Sequence, residues 1–174
     1  MPNEHTVFSK DKIQDRVNQL AEEIAKDFEN KKILLVCVLN GAYMFASDLS
    51  KALWNAGNKE FEIDFVRISS YGVERKSSGQ PRLTKDIEMD LEGKDVIIVE
   101  DIIETGYTLQ FLVEHLKGFK PTSIKICALL SKPLRKVPLE ADYLGFEVGA
   151  NDWVEGYGLD TAGNGRGRDD IIKR

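Results

Sequence analysis

Two cysteines and two histidines are all that 174 residues contain, and that scarcity excludes whole classes of chemistry. Histidine-centred zinc sites and Ser-His triads need imidazole among polar partners. Here His5 stands near the start of the sequence and His115 within a helical pattern. Cys37 and Cys127 each lie inside an apolar β-like run, so both read as buried structural thiols and not as nucleophiles or a disulfide. No apolar run approaches the roughly 18 residues of a spanning helix. The opening MPNEHTVFSK lacks an apolar signal core, so the expectation is a reduced, cytoplasmic protein with no membrane contact. A basic surplus is missing as well: the net charge of −5 argues against a nucleic-acid binder. Polar chemistry therefore has to come from acids, lysine, arginine and backbone groups.

What is present describes an ordinary globular chain, with 42% apolar and 30% charged residues, long enough for one domain with a sizeable core. Ile13, Val17, Leu20, Ala21, Ile24 and Phe28 recur at helical spacing behind Ser9, which predicts an N-capped helix. The continuous run KILLVCVLNGA, stopped by Asn40-Gly41, predicts a strand buried on both faces. A second helix follows through Phe45, Leu49, Ala52 and Leu53, and FEIDFVRISS alternates as a strand. The polar, turn-rich YGVERKSSGQPR predicts a mobile loop, and part of the stretch from Leu83 to Glu92 a returning strand. Residues 95–99 form the next strand, and Leu109, Leu112, Val113 and Leu116 a helix stopped by Gly118; SIKICALL and DYLGFEVG are further strands. Strands alternating with helices predict an α/β fold with a mostly parallel central sheet. The tail DTAGNGRGRDDIIKR carries no readable periodicity.

The stretch VIIVEDIIETGYTL, residues 96–109, concentrates the chemistry. Its pattern puts Glu100 and Asp101 at the carboxyl end of a parallel strand and residues 104–108 in the turn entering a helix, where open α/β sheets bind ligands. A helix start offers free N–H groups and a positive dipole end to a phosphate. Gly106 permits close approach of backbone, and Thr105 and Thr108 add hydroxyl donors. Facing carboxylates would repel that phosphate, so they fit sugar hydroxyls or a bound cation a few ångströms away; a sugar phosphate satisfies both halves. The residues alone fit equally an acidic strand end followed by a capped helix. No GxxxxGK[ST] is present, and the glycines of GNGRG do not lie between a strand and a helix.

VIIVEDIIETGYTL closely resembles the phosphoribosyl-pyrophosphate motif of type I phosphoribosyltransferases. Further segments in the right order narrow the resemblance to hypoxanthine-guanine phosphoribosyltransferases: VLNGA (38–42), SSYG (69–72), LLSKP (129–133) and WVEGYGLD (153–160). Together they span roughly residues 10–166. The resemblance implies one phosphoribosyltransferase domain over residues 1–174, with a lid at about 69–82. It also implies a small hood formed by the N-terminal helix and the C-terminal segment. The implied activity transfers 5-phosphoribosyl from phosphoribosyl pyrophosphate to N9 of hypoxanthine or guanine, giving IMP or GMP and pyrophosphate, with magnesium, in a homodimer or homotetramer. Glu100 and Asp101 match the acids that hold the ribose hydroxyls near a magnesium ion, and Glu104, Thr105, Gly106, Tyr107 and Thr108 the 5′-phosphate loop. Leu39, Asn40 and Gly41 match the pyrophosphate loop, which often carries a non-proline cis peptide. Ser70 and Tyr71 match the lid pair that closes over the reacting centre. Lys132 matches the donor to purine O6, Trp153 the aromatic that stacks on the base, and Val154 the backbone that reads its edge. Asp160 matches the acid that helps hold a second magnesium through water, and Arg166 the pyrophosphate-binding arginine.

Three positions depart from the family pattern. Asn40 replaces a frequent lysine, GNGRGR lacks the aromatic before the arginine and leaves Arg168 as a rival to Arg166, and Glu104 replaces aspartate beside purine N7. The last change keeps a carboxylate of similar reference pKa but lengthens it by one methylene. Two other functions compete with active 6-oxopurine transfer. One is a non-catalytic regulator that binds nucleotide or phosphoribosyl pyrophosphate on the same fold; the other is transfer to another base such as xanthine.

Overall fold

The computed structural model of the chain describes residues 5–69 and 81–174. The expected loop at 71–82 and the lid residues Ser70 and Tyr71 fall largely or wholly outside the described residues. Strand β1 (His5–Phe8) leads into helix α1 (Lys10–Asp27), whose start is fixed by Ser9, its side chain accepting from the Lys12 N–H. The apolar stripe Ile13, Val17, Leu20, Ala21 and Ile24 is buried as its spacing predicts. Strand β2 (Ile33–Leu39) follows, then α2 (Tyr43–Asn55), β3 (Phe61–Ser69) and β4 (Arg82–Lys85). The chain continues through β5 (Asp95–Ile103), α3 (Tyr107–Lys117), β6 (Ser123–Ser131) and β7 (Tyr143–Glu147), and ends with β8 (Val154–Glu155) and β9 (Ile171–Lys173).

Six strands form one sheet in the order β4-β3-β2-β5-β6-β7, parallel throughout except for the antiparallel β4 edge. The mostly parallel α/β sheet read from the sequence is therefore present. β2 shows why its residues are uniformly apolar: Ile33, Leu35 and Cys37 face one core layer with α1 and α2, while Leu34, Val36 and Val38 face a second with α3. Each fully buried Leu or Ile in such layers contributes about 1.5–3 kcal/mol. Both cysteines are free and buried. Burial pushes the Cys37 thiol up to about 12, with the Glu100 and Asp101 charges adding to it, which leaves no thiolate for nucleophilic work.

Two features differ from the sequence reading. β5 does not stop at residue 99 but runs on to Ile103. Its pairing with β2 ends at Cys37–Val99, yet pairing with β6 continues through Glu100–Ala128 to Ile103–Ser131. The acids thus stand toward the carboxyl end of the strand, as read, and Ile102 and Ile103 extend it beyond them. The tail, unreadable in sequence, closes a second, three-stranded sheet in the order β1-β9-β8. The N-terminal segment enters this small sheet through β1, whereas α1 packs against α2 and β7 of the large one. Among the described residues, no helix is long and apolar enough to cross a membrane.

Candidate active site

The carboxyl ends of β2, β5 and β6 converge on one cleft. β2 exits through the Leu39-Asn40 peptide, which is cis, and Gly41 then passes against the acid pair. A Cβ on Gly41 would lie 1.5 Å from Asp101 Oδ2, so only glycine admits this approach. α2 begins at once behind Ala42 and α3 behind Gly106, neither with a side-chain cap, in contrast to the Ser9-capped α1. Two adjacent strand ends therefore each present an uncapped helix start, where first-turn N–H groups and the dipole favour anions. Gly106 has φ +86°, a left-handed conformation natural to glycine, and a Cβ there would meet Val137 Cγ2 at 2.7 Å. The loop is further held by the Lys136 N–H donating to the Thr105 carbonyl at 3.0 Å.

Glu100 is 7% exposed, and burial followed by the neighbouring Asp101 charge pushes its carboxyl well above the usual range. Asp101 is also raised, first by burial, against the opposing pull of Glu100, the Ile102 N–H and the Arg166 charge. Two crowded carboxylates of this kind gain from a cationic or hydroxyl-bearing ligand. Among the described residues no group of three His, Cys, Asp or Glu forms a metal cage. The acids present suit instead a hard cation that takes one or two carboxylates and keeps waters and substrate phosphates.

Lys132 follows β6, its N–H donating to the Ile103 carbonyl at 2.8 Å. Its ammonium group pairs with Glu104 Oε1 at 2.5 Å, the lysine side chain 9% exposed and the glutamate 51%. The segment 153–160 supplies the remaining candidates. Trp153 is 58% exposed, its indole N–H donating to Thr161 Oγ1 at 2.9 Å. Val154 is buried and registers against Lys173.

The Gly-rich tail folds back on this segment. The Tyr157 and Gly158 N–H groups donate to the Arg168 and Arg166 carbonyls, each at 2.9 Å. Arg166 reaches inward, donating to the Gly158 carbonyl at 2.6 Å and pairing with Asp160 Oδ1 at 2.5 Å. Arg168 turns to Asp170 instead, Nε to Oδ1 at 2.8 Å. Asp160 Oδ2 also accepts from the Gly163 N–H at 2.7 Å. The candidates within the described residues thus fall into two groups, one at the carboxyl ends of β2, β5 and β6 and one along residues 153–166, which meet where Gly158 approaches the Gly41 carbonyl. Sequence reasoning missed Gly158, whose Cβ would lie 2.0 Å from the Gly41 carbonyl. It also missed the supports Thr161, Glu155 and Val137. The aromatic-glycine spacing of WVEGYGLD signalled the first; nothing local signalled Val137.

The phosphoribosyl transferase domain model matches residues 6–162. The chain is 41% identical over 160 residues to a hypoxanthine-guanine phosphoribosyltransferase of Bacillus subtilis, covering 91% of this chain and 86% of that protein. It is 43% identical over 157 residues to the bifunctional protein TilS/HprT of Listeria innocua, but spans only 24% of that longer protein while 90% of this chain is matched. A solved hypoxanthine-guanine phosphoribosyltransferase of Bacillus anthracis, with a HEPES molecule in its active site, superimposes with a TM-score of 0.89 at 40% identity, covering 97% of each chain. With its uncapped helix starts and acid pair at the sheet's carboxyl end, the chain belongs to the phosphoribosyltransferase family.

Proposed function

We propose that the chain is a purine salvage enzyme that moves 5-phosphoribosyl from phosphoribosyl pyrophosphate to N9 of a 6-oxopurine, hypoxanthine or guanine, releasing pyrophosphate. One observation carries the reading. The loops 39–41 and 104–108, the acid pair and a buried lysine share the carboxyl end of one sheet, and the segment that carries an exposed tryptophan meets the 39–41 loop at Gly158. Breaking the ribose C1–pyrophosphate bond builds positive charge on the sugar and negative charge on the leaving group. Glu100 and Asp101 answer the first, gripping ribose hydroxyls beside the cationic carbon. The uncapped start of α2, the 39–41 loop and Arg166 answer the second, while residues 104–108 hold the 5′-phosphate. The Arg166 charge, which acts on Asp101, and its place on the Gly158 carbonyl beside Gly41 favour Arg166 over Arg168 for the pyrophosphate.

Magnesium would fit the hard oxygen donors on offer, one ion beside Glu100 and Asp101 and a second held by Asp160 through water, and when bound would supply neutralising charge to the phosphates. Lys132 donates to O6, which the 6-amino group of adenine cannot accept. Glu104, beside it, takes the N7 edge, Trp153 stacks on the base, and the Val154 backbone meets the base edge. Ser70 and Tyr71 complete the reading as the pair that excludes water. Residues 1–174 act as one phosphoribosyltransferase unit, in a homodimer or homotetramer whose mass light scattering reads. A cytoplasmic setting suits two buried free thiols. The test is ultraviolet absorbance with hypoxanthine, guanine, xanthine or adenine, each with phosphoribosyl pyrophosphate and magnesium. Turnover of hypoxanthine or guanine but not adenine is expected; nucleotide binding without turnover of any base would overturn the enzymatic reading.

A further inference from the structure

β8 contains two residues, too few to hold an exposed indole in one orientation by ladder bonds alone. Its neighbours supply what it lacks. The Arg174 N–H donates to the Trp153 carbonyl at 2.9 Å. The Arg174 guanidinium forks onto Glu155, NH2 to Oε1 at 2.7 Å and Nε to Oε2 at 3.1 Å. The Glu155 side chain is 3% exposed, and Arg174 first, with Thr161 beside it, holds its carboxyl below the usual range. Thr161 Oγ1 accepts the Trp153 indole N–H. The run joins guanidinium to carboxylate, indole to hydroxyl, and the Trp153 backbone back to the guanidinium's own residue. Packing leaves it no slack, since a Cβ on Gly165 would lie 2.3 Å from Glu155 Cδ.

We propose that Arg174 and Glu155 are positioning residues for the purine platform, orienting Trp153 through Thr161 without touching the base themselves. A bidentate Arg–carboxylate pair whose carboxylate is buried fixes geometry in a way a single charged contact does not, and the hydroxyl of Thr161 passes that fixed geometry to the ring. The inference rests on the base stacking at Trp153. It assigns function to a residue 21 positions from that ring in sequence, in a tail that its own composition leaves unassigned. It also joins the base platform to the turn bearing Asp160, because Thr161 belongs to both.

The experiment uses Trp54→Phe as parent, so that tryptophan emission reports Trp153 alone. Into it are placed Arg174→Ala, Arg174→Lys and Glu155→Gln. Steady-state kinetics with each substrate varied, and the emission change on adding IMP, are measured. Arg174→Ala and Glu155→Gln are expected to raise KM for the base tenfold or more, with KM for phosphoribosyl pyrophosphate changed less than twofold and the emission change on IMP reduced. Arg174→Lys, which keeps the charge but loses the fork, should fall between. Unchanged base KM and emission in both variants would overturn the inference. So would an equal loss for both substrates with a lowered melting temperature, which would make the pair a general fold staple. A parent showing no emission response to IMP would instead count against the stacking role of Trp153, and so is distinguishable from failure of the clamp.

Discussion

At the scale of single residues, position 104 carries the sharpest question. Its carboxylate reaches Lys132 at 2.5 Å. If the target of this carboxylate in the ternary complex is purine N7, Glu104→Asp should retain or raise the hypoxanthine rate. A displacement of about 1 Å costs on the order of 100-fold where it occurs, so a large loss would show a pocket built around the longer side chain. A nucleotide-bound structure with the Glu104 carboxylate turned from the base would also sink the N7 role. Lys132→Ala separates recognition from stability. Because Glu104 is half exposed, truncating the lysine strands no buried charge. The expected effect is a fall of about 10- to 100-fold in kcat/KM for hypoxanthine, the worth of a charge-assisted hydrogen bond. Thermal melting should move little, and discrimination against adenine should narrow.

Among the elements, the long ones were legible and the short ones were not, for a physical reason. α1, β2, α2 and α3 bury stripes or faces whose periodicity is written in their own residues. β1, β8 and β9 have four, two and three residues, and their ladder joins His5 to Lys173 and Val154 to Lys173, pairings that local spacing does not encode. β5 misled for the same reason: only its partner β6 shows that Glu100–Ile103 remain extended. The site was legible where a motif is local, as at 100–108, and illegible where a support comes from afar, as with Val137 beneath Gly106.

One such distant support is Asp64 on β3, buried, whose carboxylate accepts from the Phe65, Glu88 and Met89 N–H groups at 2.6, 2.8 and 2.9 Å with Lys85 at 3.5 Å. Burial alone would push it up, but those donors overcome burial and hold it below the usual carboxylate value. A folded-state value below the unfolded one of about 3.9 means a stabilising contribution that is complete above that pH and is lost as pH falls through the folded value. Asp64→Asn should therefore cost about 1–3 kcal/mol at neutral pH and flatten the acid limb of a urea-midpoint profile. An unchanged acid limb would show that Asp64 contributes nothing to it.

Across the whole molecule, the parts that carry the candidate site come together through loop backbone. The large sheet carries the 39–41 and 104–108 loops and the acid pair; Trp153 precedes β8 of the small sheet, and Asp160 and Arg166 lie between β8 and β9. They touch where Gly158, at φ +98°, leaves room for the Gly41 carbonyl, and a Cβ there would fall 2.0 Å from that oxygen. Tyr157 anchors the same segment to α2, its hydroxyl donating to Asp48 at 2.8 Å. An alanine at 158 cannot be absorbed by a flexible side chain, because the atom it meets is the backbone oxygen of Gly41. Gly158→Ala should therefore separate the two halves of the site and reduce turnover by about 100-fold or more, with the far-ultraviolet circular dichroism of the large sheet retained. Gly57 supplies the control: it has the same φ of +98° but nothing within 4 Å of its would-be Cβ. Gly57→Ala should carry only the backbone cost of a left-handed alanine, about 1–2 kcal/mol of stability, and turn over as the parent does. Equal activity in the two variants would mean that the approach of 158 to 41 is not what aligns the purine side with the phosphate side.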